Sequence, residues 1–184
     1  ANLGSPDSPG TKLFSLAGHV NKPGFHELYM GLTLGELIEG YGGGVKGEFK
    51  AALPGGVSSR LLTNLDTELG YRSVAEAGSM LGSASVIVIN RDTDMVDVAY
   101  NTVDFFARES CGKCSVCREG TRQAREILSR LLEGQGRSGE LELLLEVAEV
   151  MRDTANCGLG QAALNVTSSA IQHFGSEFQA RIRD

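Results

Sequence analysis

Four cysteines constrain this chain more than any other feature of its sequence. Cys111, Cys114 and Cys117 form a C-x2-C-x2-C run, and thirty-nine residues separate Cys157 from the last of them. Two-residue gaps let one loop curl around a metal group, and a remote fourth ligand can close the other side. A cubane cluster needs one thiolate for each of its irons. The spacing therefore predicts a 4Fe–4S cluster with these four cysteines as its ligands.

Glycines stand close to both cysteine segments. Gly112 and Gly120 flank the first segment, and Gly158 and Gly160 follow Cys157. Because glycine lets the backbone come close to a cluster, its neighbours' N–H groups can point at the sulfurs. Hydrogen bonds of that kind help to set a reduction potential.

Two other interpretations of the cysteines fit less well. A four-cysteine zinc site usually pairs two C-x2–4-C knuckles, whereas the second half of this set is the single Cys157. Two disulfides would require neighbouring loop cysteines to bridge in a tight geometry. Clustered cysteines in a chain without a secretory signal indicate a metal site in a reducing compartment.

The composition is that of an ordinary globular protein. The 184 residues are 41% hydrophobic and 22% charged, which argues against disorder. A net charge of −6 provides no basic surface for nucleic acid. No apolar run approaches the roughly 20 residues of a membrane span, and the first ten residues do not form a secretory signal. We therefore expect a cytoplasmic protein, or one on the cytoplasmic side of a membrane-attached complex, without direct membrane insertion.

The first half of the chain predicts a small α+β unit. Residues 1–11 are rich in Gly, Pro and Ser and are expected to be a linker or tail. Within residues 12–92, two strands around the Asn21–Gly24 turn form a hairpin, Thr33 and Glu36 cap a helix, and a buried strand follows at residues 84–90. The predicted order β-β-α-β-β fits a β-grasp-like (ubiquitin-like) domain.

Residues 93–184 predict a helical domain. Apolar residues recur at helical spacing in four segments, which begin near Asp94, Glu119, Glu140 and Asn165. Short amphipathic helices joined by tight loops favour an antiparallel bundle. The aromatic pair Phe105-Phe106 is expected to pack in the core of this bundle and to shield the cluster from water. The predicted fold class is therefore α+β, a β-grasp domain followed by a helical bundle that carries the cluster.

Other polar residues carry weaker signals. Lys113, Arg118 and Arg122 surround the first cysteine segment, where they either act on the cluster or a partner or are solvated surface charges. The three histidines, His19, His26 and His173, have no metal-like spacing to one another, and we expect them to be structural.

Several motifs in order resemble one known family. ESCGKCSVCREGTRQ (residues 109–123) resembles the ESCGxCxPCRxG signature of the NADH-binding flavoprotein subunit of respiratory complex I. Related subunits of NAD-linked hydrogenases and formate dehydrogenases share this signature. NCGLGQAALNVTSSAIQHF (residues 156–174) is similar to the family's CGLGQTAPNPVLSTLKYF stretch, and SPDSPGTKLFSLAGHVNKPGFHEL and AALPGGVSS resemble its soluble-ligand-binding β-grasp domain. The resemblance covers essentially the whole chain.

The resemblance implies a function in electron transfer. In the family, FMN accepts hydride from NADH, and single electrons pass to the 4Fe–4S cluster and onward. The family's ligands fall on Cys111, Cys114, Cys117 and Cys157, in agreement with the spacing. The implied partners are a thioredoxin-like 2Fe–2S subunit and a larger iron–sulfur subunit of an NADH-oxidising oxidoreductase complex.

The chain also departs from the family pattern. Val116 replaces the usual Pro between the second and third cysteines, and Ala163-Leu164 stands where Ala-Pro is common. Neither change removes a ligand. The family's GRGGxGFP loop for FMN and NADH does not occur here, and the chain has no initiating Met. We therefore expect a C-terminal part of such a subunit, which by itself binds neither FMN nor NADH. The alternative is a non-enzymatic binding module with a structural four-cysteine zinc site.

Overall fold

The chain folds into two compact units. The computed structural model describes residues 3–183, so the first two residues of the predicted tail and the last residue of the predicted helical domain lie outside the described residues. The units are Ala1–Thr93 and Asp94–Asp184. The first contains a mixed sheet and the second is mainly helical, so the fold class is α+β. Among residues 3–183, no helix combines the length and the apolar character that a membrane crossing requires.

A four-stranded mixed sheet organises the first unit. The strands of this unit are β1 (Gly4–Ser5), β2 (Ser8–Pro9), β3 (Thr11–Gly18), β4 (Gly24–Tyr29), β5 (Phe49–Leu53) and β6 (Ser85–Asn90). The order in the large sheet is β4-β3-β6-β5, with β3 antiparallel to β4 and parallel to β6. The predicted hairpin is confirmed as the β3–β4 pair, and the predicted buried strand is confirmed as β6, which β5 joins in antiparallel register.

The N-terminal segment differs from the predicted linker or tail. Strands β1 and β2 pair antiparallel, and the buried Ser8 hydroxyl accepts a hydrogen bond from the Tyr71 N–H at 3.1 Å. Gly4 and Gly10 adopt positive φ angles, which only glycine tolerates readily. A Gly- and Pro-rich composition is typical of tight turns as well as of linkers, and in this segment it forms a turn between paired strands.

The first helix begins as the sequence predicted. In α1 (Leu34–Glu36) the Thr33 hydroxyl accepts from the Glu36 N–H, and the Glu36 carboxylate accepts from the Thr33 N–H at 2.7 Å. The helix continues as one π-helical turn, Leu37–Tyr41, and ends at Gly42. A second helix, α2 (Tyr71–Glu76), precedes β6 and has no counterpart in the predicted order β-β-α-β-β.

One hydrophobic core fills the first unit. The sheet contributes Phe14 and Leu16 from β3, and the α1 region contributes Leu37 and Ile38, each at most 1% exposed. Burial of such side chains contributes about 1.5–3 kcal/mol each. Alternation along β3 places Phe14 and Leu16 on one face of the sheet, as their spacing predicted.

Helices make up nearly all of the second unit. They are α3 (Met95–Glu109), α4 (Ser115–Leu132), α5 (Glu140–Thr154), α6 (Gly158–Ala162) and α7 (Asn165–Gln179), and the short strands β7 (Gly136–Arg137) and β8 (Ile182–Arg183) pair in parallel. Helix α3 packs against α4 and α7, and α5 packs against α4, α6 and α7. The predicted start of α3 near Asp94 is confirmed, and the Asp94 carboxylate caps the helix by accepting from the Val96 N–H at 2.9 Å.

Some helical predictions were wrong in detail. Helix α4 begins at Ser115 rather than near Glu119, so the last of the three clustered cysteines lies inside its first turn. Helix α6 was not predicted as a separate element. Phe106 is buried, as expected, but Phe105 is 43% exposed, so the aromatic pair does not pack as a unit in the core. Neighbouring residues point about 100° apart on a helix, so only one of the two can face inward.

Candidate metal centre

The first cysteine segment connects α3 to α4. Ser110 ends α3 in an extended conformation, and Gly112 turns the chain through a positive φ of 71°. Cys114 is again extended and starts α4 as its N-cap residue. The segment therefore places Cys111 in the loop, Cys114 at the helix start and Cys117 within the first helical turn.

The second cysteine segment connects α5 to α6. Cys157 has extended backbone angles and is the N-cap residue of α6, as Cys114 is of α4. The adjacent Gly158 has open space where a Cβ atom would stand. Gly160, two residues further on, is buried. The segment thus combines an exposed cysteine with a buried glycine.

Gly160 and Cys117 join the two segments. A Cβ atom on Gly160 would lie 3.1 Å from the Cys117 Cβ, 3.3 Å from its Sγ and 2.7 Å from the Ala155 Cβ. Real Cβ atoms essentially never approach other atoms as closely as the last distance. A side chain here would clash with Ala155 of its own segment and press on Cys117 of the first, so glycine lets the two segments lie this close together.

Asn156 forms a second link between the segments. Its backbone N–H, and then that of Cys117, lower the pKa of the Cys114 thiol by favouring the thiolate. A backbone donor from the second segment thus stabilises negative charge on a cysteine of the first.

The four sulfurs are electrostatic neighbours. Burial raises the pKa of the Cys117 thiol, and the negative charges of Cys114, Cys157 and Cys111 raise it further. A hydrogen bond with Ser110 acts in the opposite direction. Like charges resist ionisation together unless a cation compensates them, so this arrangement favours a positively charged group among the sulfurs.

Exposure differs among the cysteines, and all four are free thiols. Cys117 is 4% exposed, Cys114 is half-buried, and Cys111 and Cys157 are exposed. Within residues 3–183, no three His, Cys, Asp or Glu side chains are arranged to hold a single metal ion. A cubane makes a different demand, because each thiolate binds a separate iron. Four thiols that influence one another across two segments fit that donor set.

Hydrogen bonds hold the first segment in shape. The Ser110 hydroxyl lies 3.3 Å from the Cys117 sulfur and accepts from the Gly112 N–H at 3.3 Å. The Arg118 guanidinium donates to the Gly112 carbonyl at 2.6 Å, and the Thr121 hydroxyl donates to the Cys117 carbonyl at 2.8 Å. We expected the Arg118 side chain to act on the cluster or a partner, or to be a solvated surface charge. In the structure it also stabilises the loop through its hydrogen bond to Gly112.

The structure places the second cysteine segment against Cys117 of the first and adds residues that the sequence did not single out. Asn156 and Ser110 contribute through a backbone N–H and a hydroxyl. A backbone donor carries no residue-type signal, and a serine beside a cysteine is common. The sequence signal for these two residues was only that Asn156 precedes Cys157 and that Ser110 precedes Cys111.

A family comparison matches the helical part of the chain. Residues 97–181 match the family described as the NADH-ubiquinone oxidoreductase-F iron-sulfur binding region. This range contains all four cysteines and the helices that position them. The match agrees with the resemblance seen in the cysteine motifs.

Curated relatives extend the similarity to the whole chain. The NADH-quinone oxidoreductase-F subunit of Rickettsia massiliae (strain Mtu5) is 41% identical over 188 residues, which cover 100% of this chain and 45% of that protein. A second such subunit, of Rhizobium meliloti (strain 1021), is 42% identical over 186 residues, which cover 99% of this chain and 44% of that protein. The chain thus spans less than half the length of these relatives.

Solved structures show the same fold. A crystal structure of an NAD+-reducing [NiFe]-hydrogenase in the H2-reduced state superposes with a TM-score of 0.88 at 31% identity, over 98% of this chain and 31% of that chain. The air-oxidized state of such a hydrogenase superposes equally well. Together these comparisons confirm the resemblance to complex I and hydrogenase subunits that the sequence motifs indicated.

Proposed function

We propose that this chain, whose residues 97–181 belong to the NADH-ubiquinone oxidoreductase-F iron–sulfur binding family, relays single electrons within an NADH-oxidising complex. The electrons would come from FMN in a flavoprotein subunit and leave for partner iron–sulfur subunits. A bound 4Fe–4S cluster supplies a centre that takes up and releases one electron at a time. The observation that carries the proposal is the meeting of the two cysteine segments at Gly160 and Cys117.

The proposed ligands are Cys111, Cys114, Cys117 and Cys157. The mutual charge effects of their thiols support this set, as does the close approach of the second segment to the first. The Asn156 N–H would hold negative charge on a ligand sulfur, and the buried side of the site around Cys117 would keep water from that part of the cluster.

The two units correspond to two proposed domains. Residues 12–92 would form the soluble-ligand-binding β-grasp domain, which the mixed sheet packed on the α1 region supports. Residues 93–184 would form a helical bundle that carries the cluster, supported by the packing of α3, α4, α5 and α7. FMN and NADH would bind outside these 184 residues, in a part of the subunit that the longer relatives have room for.

Partner subunits would dock near the cysteine segments. The proposed partners are a thioredoxin-like 2Fe–2S subunit and a larger iron–sulfur subunit, on the cytoplasmic side of the complex. An apolar groove of about 270 Å³ between α4 and α5 supports a contact in this area. It begins at Val116, between two of the proposed ligands, and includes the 52% exposed Val150.

Anaerobic reconstitution of the chain tests the proposal. We expect about four irons and about four sulfides per chain, a brown colour, and bleaching on reduction by dithionite. Cys157→Ser removes one thiolate and should lose or degrade the cluster. Gly158→Ala, one residue away, adds a methyl group in open space and should retain it.

The result that would overturn the proposal is equally specific. A colourless protein with stoichiometric zinc would favour the non-enzymatic binding module instead. Unchanged iron content and spectrum in Cys157→Ser would show that Cys157 is not a ligand and that the second segment does not belong to the site. Both results can be read without the remaining subunits.

A further inference from the structure

We propose that the Ser110 hydroxyl donates a hydrogen bond to the Cys117 sulfur and thereby raises the reduction potential of the cluster. This inference rests on the proposed function, because it concerns a ligand of that site. Ser110 acts through Cys117 and does not itself bind iron, so its role is to position a proton beside a ligand.

The geometry provides a direct contact. The Ser110 Oγ lies 3.3 Å from the Cys117 Sγ, a normal separation for a hydrogen bond to sulfur. Cys117 is the most buried of the four cysteines, with 4% of its surface exposed. Ser110 is half-buried itself. Water therefore competes less for this sulfur than for the exposed Cys111 and Cys157.

The direction of the hydrogen bond follows from the chemistry of the two groups. In the free thiol, either atom can donate. A cysteine bound to iron has lost its proton and can only accept. A serine hydroxyl has one proton to donate and two lone pairs, and the Gly112 N–H already uses one lone pair at 3.3 Å. The Ser110 proton is therefore left for Cys117.

The effect on the potential follows from charge. A hydrogen bond to an anionic sulfur is stronger when the sulfur carries more negative charge. Reduction adds an electron to the cluster, so the bond stabilises the reduced form more than the oxidised form. Dithionite supplies the electron in the laboratory, and no bond to Ser110 forms or breaks. The hydroxyl therefore favours reduction.

The surrounding contacts keep the hydroxyl in place. The Arg118 guanidinium holds the Gly112 carbonyl at 2.6 Å, and the Thr121 hydroxyl holds the Cys117 carbonyl at 2.8 Å. The two partners of the Ser110 hydroxyl, the Gly112 N–H and the Cys117 sulfur, thus belong to residues that are anchored separately. Such anchoring gives the bond a defined length in both redox states.

An EPR-monitored redox titration of the reconstituted 184-residue chain tests the inference. Ser110→Ala should retain iron and sulfide but shift the midpoint to a more negative value. At a fixed potential we expect about a tenfold lower ratio of reduced to oxidised cluster, a shift of about 59 mV for one electron. Ser110→Thr keeps the hydroxyl, and its extended backbone suits a β-branched residue, so it should restore the wild-type midpoint.

A matched control lies in the first turn of α4. Ser115 follows Cys114 and is exposed, and within residues 3–183 its hydroxyl makes no hydrogen bond to a cysteine sulfur. Ser115→Ala should leave the midpoint unchanged. In deuterated buffer, pulsed EPR of the wild-type cluster should show an exchangeable deuteron coupling that Ser110→Ala lacks and Ser115→Ala keeps.

Three outcomes would overturn the inference. An unchanged midpoint in Ser110→Ala would do so, and so would an equal shift in Ser110→Thr. Loss of the cluster from Ser110→Ala, with a native circular dichroism spectrum, would assign the hydroxyl to loop shape instead of potential. A wild-type chain that binds no iron and sulfide would instead contradict the proposed function, so the two failures are distinguishable.

Discussion

Four of the helices in this protein differ in the residue at their N-cap position. Helices α1 and α3 begin at Thr33 and Asp94, whose side-chain oxygens accept from backbone N–H groups at 3.1 and 2.9 Å. Helices α4 and α6 begin at Cys114 and Cys157, and in the part of the chain that the structure describes neither side chain makes a capping hydrogen bond. The two kinds of residue occupy the same position but perform different tasks.

The difference shows where stability is given up. A side-chain cap is worth about 1 kcal/mol, so α4 and α6 each forgo a contribution that α1 and α3 receive. In α4, the positive end of the helix lies near the Cys114 sulfur, and the backbone N–H groups of Asn156 and Cys117 lower the pKa of this thiol. Oxygen caps stabilise the fold, whereas the proposed role of the sulfur at the same position is to bind the cluster. If the two tasks are separate, some substitutions should lower stability without loss of iron, and others should cause loss of iron.

The largest expected effect on iron content comes from Gly160→Ala. The new Cβ would lie 2.7 Å from the Ala155 Cβ and 3.1 Å from the Cys117 Cβ, so the backbone around Gly160 has to shift against Ala155 and Cys117 has to yield. We expect the reconstituted protein to lose most of its iron, with a destabilisation of about 1–3 kcal/mol from overpacking. Iron and sulfide analysis measures the first effect, and urea denaturation measures the second.

Gly158→Ala is the matched control for this variant. It lies two residues away in the same helix, but nothing lies within 4 Å of its Cβ position. It should keep both its iron and its stability. Equal iron contents in the two alanine variants would show that the contact between Gly160 and Cys117 does not hold the cysteines together.

Phe14→Ala should lower the stability of the protein but leave its iron content unchanged. Phe14 is fully buried in the core of the first unit, and truncation of such a residue costs about 3–5 kcal/mol. Because the cysteines belong to the other compact unit, we expect the iron content to remain that of the wild type. Hydrogen exchange followed by mass spectrometry in increasing urea resolves peptides from each unit and locates the loss.

Phe25→Ala provides the comparison on the same hairpin. Phe25 is 75% exposed and should tolerate the change within about 0.5 kcal/mol. Loss of iron from Phe14→Ala while the helical unit stays protected would contradict the separation of tasks between the two units. Similar stabilities of the Phe14 and Phe25 variants would contradict the assignment of the core.

Local rules predicted the oxygen-capped helix starts, and they are also the basis of the proposed ligand set. The Thr33–Glu36 spacing and the position of Asp94 mark α1 and α3 because a cap uses residues close in sequence. The cysteine spacing predicted the four thiols because a cluster imposes its own stoichiometry on the chain. In both cases the chemistry lies within a few residues or in a rare residue type.

Contacts between distant segments were not predictable in the same way. The Gly160–Cys117 contact joins residues on different helices, and glycine alone does not reveal which side chain it faces. The pairing of β1 with β2 was hidden in a composition that also fits a linker. The exposure of Phe105 depends on which of two adjacent aromatic residues the packing of α3 selects. These features follow from tertiary packing, which sequence periodicity only partly constrains.

The smallest expected effect tests the oxygen cap itself. Thr33→Ala removes the hydroxyl that accepts from the Glu36 N–H, but the Glu36 carboxylate still accepts from the residue 33 N–H at 2.7 Å. We therefore expect a loss of about 1 kcal/mol, at the middle of the range for caps, with unchanged iron content. Thr33→Ser keeps the oxygen and should restore the wild-type urea midpoint of the first unit. A serine variant as unstable as the alanine variant would mean that the threonine methyl group, and not its hydroxyl, stabilises the start of α1, and the contrast with the cysteine-started helices would then no longer rest on capping.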